Sequence, residues 1–144
     1  MAAMSDRQWV DANLMIRFLT RDSPELSPRS RALFERAERG EVTLRVPAII
    51  VAEVVWVLAS FYRWTREDIA TRFSGFLRSE GLEVEESPLV LAALQLMARV
   101  NVSFVDAYLA ESARRAGEPL VSFDRNFSRL NVEWIEPELD VPAT

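Results

Sequence analysis

Three residue types that carry much of enzyme chemistry are missing from this chain: histidine, cysteine and lysine. Without histidine and cysteine there is no imidazole base, no thiolate nucleophile and none of the ligands that favour zinc. All 17 basic residues are arginines, so the lysine that many phosphate-handling sites use is missing too. Carboxylates remain, and their oxygens bind hard cations such as Mg²⁺ or Mn²⁺.

Length and charge narrow the class of protein. A chain of 144 residues with 49% hydrophobic residues has the size of one domain and can bury a core. The net charge of -5 argues against a broad nucleic-acid-binding surface. Cations bound by some of the acids would reverse the local sign, so an arginine-lined face for a nucleic acid remains open.

The sequence also indicates a compartment. No disulfide is possible, which suits a reducing cytoplasm. The first residues lack the basic and then apolar pattern of a signal peptide. The longest apolar stretch, residues 46–61, is shorter than the roughly 20 residues that a membrane span needs. We expect a cytoplasmic protein without a membrane partner.

Short predicted strands alternate with predicted helices along the chain. The strands lie at 8–10, 42–46, 82–85, 119–122 and 131–135, and the helices at 13–19, 24–40, 46–59, 65–80, 88–100 and 103–116. This alternation predicts an α/β fold with a parallel sheet covered by helices on both faces. We expect one domain over residues 8–136 and a loose C-terminal tail over 137–144.

One carboxylate, Glu53, interrupts the longest apolar stretch. In a helix its neighbours one turn away are all apolar: Ile49, Ile50, Trp56 and Val57. Burying a bare carboxylate in such a setting costs on the order of several kcal/mol. We therefore expect a partner for Glu53, either a metal cation or, as the alternative, a buried arginine.

Three further acids stand where a site would form. Asp11 ends the first predicted strand and Asp124 follows the fourth, and ligands collect beyond the carboxyl ends of parallel strands. Both positions also suit a helix N-cap. Asp106 closes the segment Ser103 to Asp106, which fits a capping box. With Glu53, these acids predict one site for Mg²⁺ or Mn²⁺, while other acids, Asp22 among them, lie among polar residues and do not join the set.

Four segments in this order carry a resemblance to a known family: Val10-Asp11-Ala12-Asn13, the Glu53 helix, Phe104-Val105-Asp106-Ala107 and Ser122-Phe123-Asp124-Arg125-Asn126-Phe127. The chain resembles the PIN-domain nucleases and, more narrowly, the toxins of VapBC-type toxin-antitoxin pairs. The resemblance covers nearly the whole chain. It implies a three-layer fold in which helices flank a central parallel sheet.

The resemblance also implies an activity and partners. Asp11, Glu53, Asp106 and Asp124 would meet around Mg²⁺ or Mn²⁺ and hydrolyse RNA with a metal-activated water. The family implies a homodimer and inhibition by a small cognate antitoxin.

Three polar residues complete the expected site. Asn13 and Ser122 match positions that are polar in relatives, which implies that they orient the acids or the water. Asn126 stands where many relatives have a further aspartate, so the resemblance leaves open how a second ion would be held.

Other readings of the sequence predict different functions. An RNA-processing PIN nuclease would need no antitoxin, and a degenerate PIN-like module would bind RNA or protein without cutting. A phosphatase would also place acids at strand ends, but that resemblance requires a lysine. The aromatic residues after Glu53 are typical of a core or a partner surface rather than of a base-stacking platform: Trp56, Phe61, Tyr62 and Trp64.

Overall fold

The computed structural model of the chain describes residues 6–138. The strands are β1 (Arg7–Trp9), β2 (Thr43–Val46), β3 (Leu82–Val84), β4 (Leu120–Val121) and β5 (Trp134–Ile135). The helices are α1 (Ala12–Thr20), α2 (Leu26–Glu38), α3 (Ala48–Ser60), α4 (Arg66–Leu77), α5 (Ser87–Val100) and α6 (Phe104–Ala116), with a 3-10 helix at Arg125–Arg129. The predicted α/β class is confirmed, because a pair of helices separates each of the first three strands from the next.

The strand pairs in the described residues are parallel. Strands β1, β2 and β3 form one sheet in that order, and β4 pairs with β5. Parallel neighbours need a long crossover connection, which α1 with α2 and α3 with α4 provide. The parallel pairing predicted from the sequence is therefore confirmed. Strands β4 and β5 form a ladder of their own in this part of the chain, and each is only two residues long.

The two faces of the three-stranded sheet differ in chemistry, because successive side chains of a strand point to opposite faces. One face carries Leu44 and Val46, which are buried in the core. The other carries Trp9, Arg45 and Glu83, which lie side by side in register across the strands. These three side chains are exposed or half-buried. The Leu44 face is buried at the central strand, whereas the Trp9 face stays partly open there.

Capping signals in the sequence mark the starts of three helices. Thr65 Oγ1 accepts a hydrogen bond from the Asp68 N–H at 3.1 Å and begins α4. Ser103 Oγ accepts from the Asp106 N–H at 3.1 Å and begins α6. Pro47 was expected in the first turn of α3, but it is the N-cap residue with extended backbone. Its fixed φ suits that position equally well, since the helix begins at the next residue.

Two sequence expectations concern segments outside this architecture. The tail, residues 137–144, lies outside the described residues except for Pro137 and Glu138. Over residues 6–138, no single helix is long and apolar enough to cross a membrane. Helices α5 and α6 together reach the required length and composition, but they are bent by 120° at the break between them.

Candidate active site

Asp11 lies between β1 and α1, where the sequence placed it. Its backbone is extended and its Oδ1 accepts a hydrogen bond from the Leu14 N–H at 3.1 Å, so it is the N-cap of α1. The capping alternative is thus correct as a structural role. Only one carboxylate oxygen is used in it, and the side chain is exposed. Asn13 is exposed in the first turn of the same helix.

Asp124 is held in a similar way after β4. Its Oδ1 accepts from the Asn126 N–H at 2.9 Å, and its own N–H donates to Ser122 Oγ at 3.0 Å. The Ser122 carbonyl in turn accepts from Trp134 Nε1 at 2.8 Å, which joins this turn to β5. Two of the residues expected to orient the acids therefore contact Asp124 directly. The second oxygen of Asp124 has no protein donor among residues 6–138.

Asp106 lies in the first turn of α6 and is half-buried. The capping box that the sequence allowed is only half formed. Ser103 Oγ accepts from the Asp106 N–H, but no hydrogen bond of the Asp106 carboxylate back to the Ser103 backbone occurs in the described structure. Both oxygens of this carboxylate therefore remain available to another ligand.

Glu53 contradicts the expectation of a buried carboxylate, because its side chain is exposed. Helix α3 buries Val51, Val54, Val55 and Leu58, which recur at the spacing of one helix face. Glu53 lies outside that stripe, between Ile49, which is 76% exposed, and Trp56, which is 69% exposed. Of its four apolar neighbours one turn away, Ile49 and Trp56 are exposed and Ile50 and Val57 are half-buried. Because Glu53 itself is exposed, burial gives no reason for a partner.

The arginine alternative for Glu53 is wrong as well. Within residues 6–138 no ion pair joins Glu53 to an arginine. The prediction failed because the apolar residues around Glu53 in the sequence do not all lie on the buried face of the helix. The spacing of Val51, Val54, Val55 and Leu58 was the signal that could have corrected it.

The elements that carry the four acids are connected. Helix α1 packs against α3, α3 contacts α6, and α6 contacts β4. Across the part of the chain that the structure describes, however, no three acidic side chains lie close enough to form a ready metal-binding group. Uncompensated carboxylates repel one another, which disfavours their close approach. Their joint action around one ion therefore stays a prediction.

The chemistry of the donor set can be tested against Mg²⁺ or Mn²⁺. Each of the four acids keeps at least one carboxylate oxygen without a protein donor in the described residues. Such oxygens are the ligands that these ions prefer. The carboxylates of Asp11 and Asp124 are also held in place, because each accepts a hydrogen bond from a backbone N–H a few residues along the chain. Carboxylates that bind metals are commonly held by such hydrogen bonds. In the kind of donor atom, though not in their spacing, these acids fit a hard divalent cation.

A different kind of acidic site lies at the other end of α1. Asp22 accepts hydrogen bonds from Tyr62 Oη, from Arg17 Nη1 at 2.9 Å and from Thr20 Oγ1 at 2.9 Å. The bond from Tyr62 is the main cause that lowers the pKa of Asp22 to about 2. The sequence did not single out this network, because Tyr62 lies 40 positions away. It is a structural ion pair rather than a site for chemistry.

The sequence was compared with protein families and with known proteins. The family model for the PIN domain matches residues 9–133, which include all four acids. A curated VapC ribonuclease from Aquifex aeolicus (strain VF5) is 28% identical over 129 residues, which is 89% of this chain and 95% of that protein.

One solved structure also covers most of the chain. It is VapBC2 from Rickettsia felis bound to a DNA fragment from its promoter, with 12% identity, a TM-score of 0.36 and coverage of 92% of this chain and 99% of that one. The family match rests on the sequence and spans the strands, the helices and the acids described above. The chain belongs to the PIN-domain family.

Proposed function

We propose that this protein is a Mg²⁺- or Mn²⁺-dependent endoribonuclease and the toxin of a type II toxin-antitoxin pair. One observation carries the proposal: the PIN-domain match spans residues 9–133 and contains four acids with free carboxylate oxygens. The likeness to a VapC ribonuclease over 89% of the chain supports the same activity. RNA as substrate also makes the cytoplasm the compartment that we propose.

Each acid has a proposed role. Asp106 and Asp11 are the principal ligands, since Asp106 keeps both oxygens free and Asp11 is oriented by its cap. Asp124 and Glu53 complete the ligand set or hold the attacking water. A divalent ion bound there would lower the pKa of water and offset charge on the phosphodiester. With no histidine in the chain, the water would lose its proton through the effect of the ion itself or with help from one of these acids.

The orienting residues act through Asp124. Ser122 and Asn126 fix its backbone and one carboxylate oxygen, so the other oxygen has a defined direction. Asn13 lies in the first turn of α1, two positions after the Asp11 cap. Asn126 lacks the charge of an aspartate, which favours a single tightly held ion over two.

The experiment that tests the activity uses purified protein and a labelled single-stranded RNA. We expect cleavage with Mg²⁺ or Mn²⁺ and no cleavage after chelation with excess EDTA. Restoring the ion should restore cleavage, which separates loss of metal from loss of fold. Undiminished cleavage in EDTA would rule out the proposed mechanism.

The proposed partners are an antitoxin and a second copy of the chain. Helix α3 presents Ile49 and Trp56 to solvent on either side of Glu53, and Phe61 is 75% exposed at its end. Exposed apolar patches of this kind are typical of protein interfaces. A partner arginine could pair there with the free carboxylates in two-pronged fashion. This surface supports the proposal of a homodimer and of an antitoxin contact.

Growth and assembly measurements test these partners. Expression of the chain alone should slow bacterial growth, and a small protein encoded beside its gene should restore growth. Size-exclusion chromatography with light scattering should show a dimer. A monomer in the light-scattering measurement would contradict the homodimer. Toxicity that persists on co-expression with the neighbouring gene product would contradict the antitoxin.

A further inference from the structure

A large aromatic side chain stands exposed beside the first acid. Trp9, the last residue of β1, is 66% exposed. Val10 is buried, and its N–H donates to the Arg45 carbonyl at 3.2 Å, so the strand pairing continues past Trp9. Asp11 follows two positions later with extended backbone, about 7 Å further along the chain, and is exposed like Trp9. The indole is therefore a near neighbour of the proposed site.

Arg45 stacks on this indole. Its guanidinium carbon lies 4.9 Å from the centre of the Trp9 ring, and the two residues are partners in the β1–β2 ladder. Arg7, on the same face, is 3.6 Å from Glu83 and is partly neutralised. Arg45 has no acidic partner within the described ranges. In a chain of net charge -5, this guanidinium is a local cation left open.

We propose that Trp9 and Arg45 form a nucleotide-binding subsite for single-stranded RNA next to Asp11. Arg45 covers one side of the indole, and the exposed remainder can stack on an unpaired base. The same guanidinium can hold the phosphate of that nucleotide, which is complementary in charge. This inference rests on the proposed function and adds to it a group that positions the strand, with no part in the proton transfer.

A second tryptophan-arginine pair gives the comparison. Arg72 lies 5.0 Å from the centre of the Trp64 ring, so the contact is almost the same as that of Arg45 and Trp9. Trp64 is half-buried against the core, and it directly precedes Thr65, the N-cap of α4. That pair has a packing role. Only the Trp9 pair combines an exposed ring with an adjacent acid of the proposed site.

The first test separates strand positioning from chemistry. With a single-stranded RNA as substrate, Trp9→Ala should raise KM about 10-fold and leave kcat within about 2-fold, because base stacking is lost and the acids are untouched. Trp9→Phe should restore most of the affinity. Arg45→Gln should also raise KM, whereas Arg72→Gln, which removes the same charge from the other pair, should change neither constant. Equal effects of the two arginine changes would overturn the inference.

The second test asks whether a base is what Trp9 contacts. Binding of a fluorescein-labelled RNA is measured with Asp106→Asn protein, which keeps the oligonucleotide intact, with and without Trp9→Ala. An abasic position is moved along the RNA. At one position, loss of the base should weaken binding about 10-fold. With that abasic RNA, Trp9→Ala should weaken binding no further. Full additivity at every position would overturn the subsite.

The outcomes also distinguish this inference from the proposed function. If the parent protein cleaves RNA and Trp9→Ala, Trp9→Phe and Arg45→Gln all cleave it with unchanged KM, the subsite is wrong and the nuclease stands. If the parent neither binds nor cleaves RNA, both fall. If Trp9→Ala weakens binding of the antitoxin and leaves RNA binding unchanged, the indole is a protein contact and the inference fails. Equal melting temperatures of parent and Arg45→Gln exclude a folding effect.

Discussion

The two ends of helix α1 carry acids in opposite situations. Past its C-terminal end, Asp22 accepts hydrogen bonds from Tyr62, Arg17 and Thr20. At its N-terminal end, Asp11 accepts one bond, from the Leu14 N–H, and keeps its second oxygen without a protein donor in the described residues. The first carboxylate is satisfied by the fold, whereas the second is left open.

The charged partners of these acids differ in the same way. The Tyr62 hydroxyl, and after it the Arg17 guanidinium, hold the pKa of Asp22 near 2. Burial, and after it the same hydrogen bond to Asp22, raises the pKa of Tyr62 above its ordinary value. Asp106 keeps both carboxylate oxygens free and Asp11 keeps one, and neither acid forms an ion pair with an arginine in residues 6–138. An acid with protein partners stabilises structure, and an acid without them is available to a ligand.

The largest expected effect comes from removing an open acid. Asp106→Asn should lower RNA cleavage by about 100-fold or more, since even residues that only support metal ligands are worth about 10- to 100-fold. Asp22→Asn is the matched change at the satisfied end and should leave kcat unchanged. Cleavage rates of both variants under saturating Mg²⁺ measure the difference. Equal rates for the two would remove the distinction between open and satisfied acids.

Metal binding should stabilise the fold through the open acids alone. Mg²⁺ at about 100 times its Kd should stabilise the parent by about 2.7 kcal/mol through mass action. Asp11→Asn should reduce this gain, because a ligand is lost, and Asp22→Asn should preserve it. Thermal melts with and without Mg²⁺ give the readout, which does not depend on catalysis. A gain that Asp11→Asn leaves intact would place the ion elsewhere.

The hydrogen bonds of Asp22, past the C-terminal end of α1, should make the stability of the protein depend on pH in the acid range. The folded pKa of Asp22 is about 2, below its ordinary 3.8, so its stabilisation is present above about pH 4 and is lost as the pH falls toward 2. Its side chain is 33% exposed, and screening limits the contribution to about 1 kcal/mol or less. Urea unfolding of parent and Asp22→Asn should differ at pH 6 and converge near pH 2. A constant difference across that range would mean that the carboxylate charge is not involved.

The smallest expected effect is at Glu53. Because its side chain is exposed and has no ion pair in the described residues, Glu53→Gln should change the free energy of unfolding by less than about 0.5 kcal/mol. If Glu53 belonged to a buried ion pair, the same substitution would instead lower the free energy of unfolding by about 3 kcal/mol or more. Urea unfolding without added metal distinguishes the two. The proposed function adds that cleavage should still fall, because Glu53 belongs to the open set.

Particular residues show how far the sequence could be read. The apolar periodicity and the caps at Thr65 and Ser103 predicted helices that the structure contains. Asp11 and Asp124 were expected after strands, and both lie there. Glu53 was read wrongly, because its apolar neighbours were taken for core. Each of the correct predictions depends on residues within a few positions of one another, where backbone geometry alone limits the outcome.

What the sequence determined by itself is therefore local and chemical. It limits the polar side-chain groups to carboxylates, hydroxyls, amides, guanidinium groups and indole N–H groups, places the acids relative to helix starts, and spaces the apolar residues that form the elements. Only the tertiary structure decided that Glu53 is exposed, that Tyr62 satisfies Asp22, and that Arg45 stacks on Trp9. Partners far apart in the chain meet only when elements pack, and burial depends on which face of an element the rest of the chain covers.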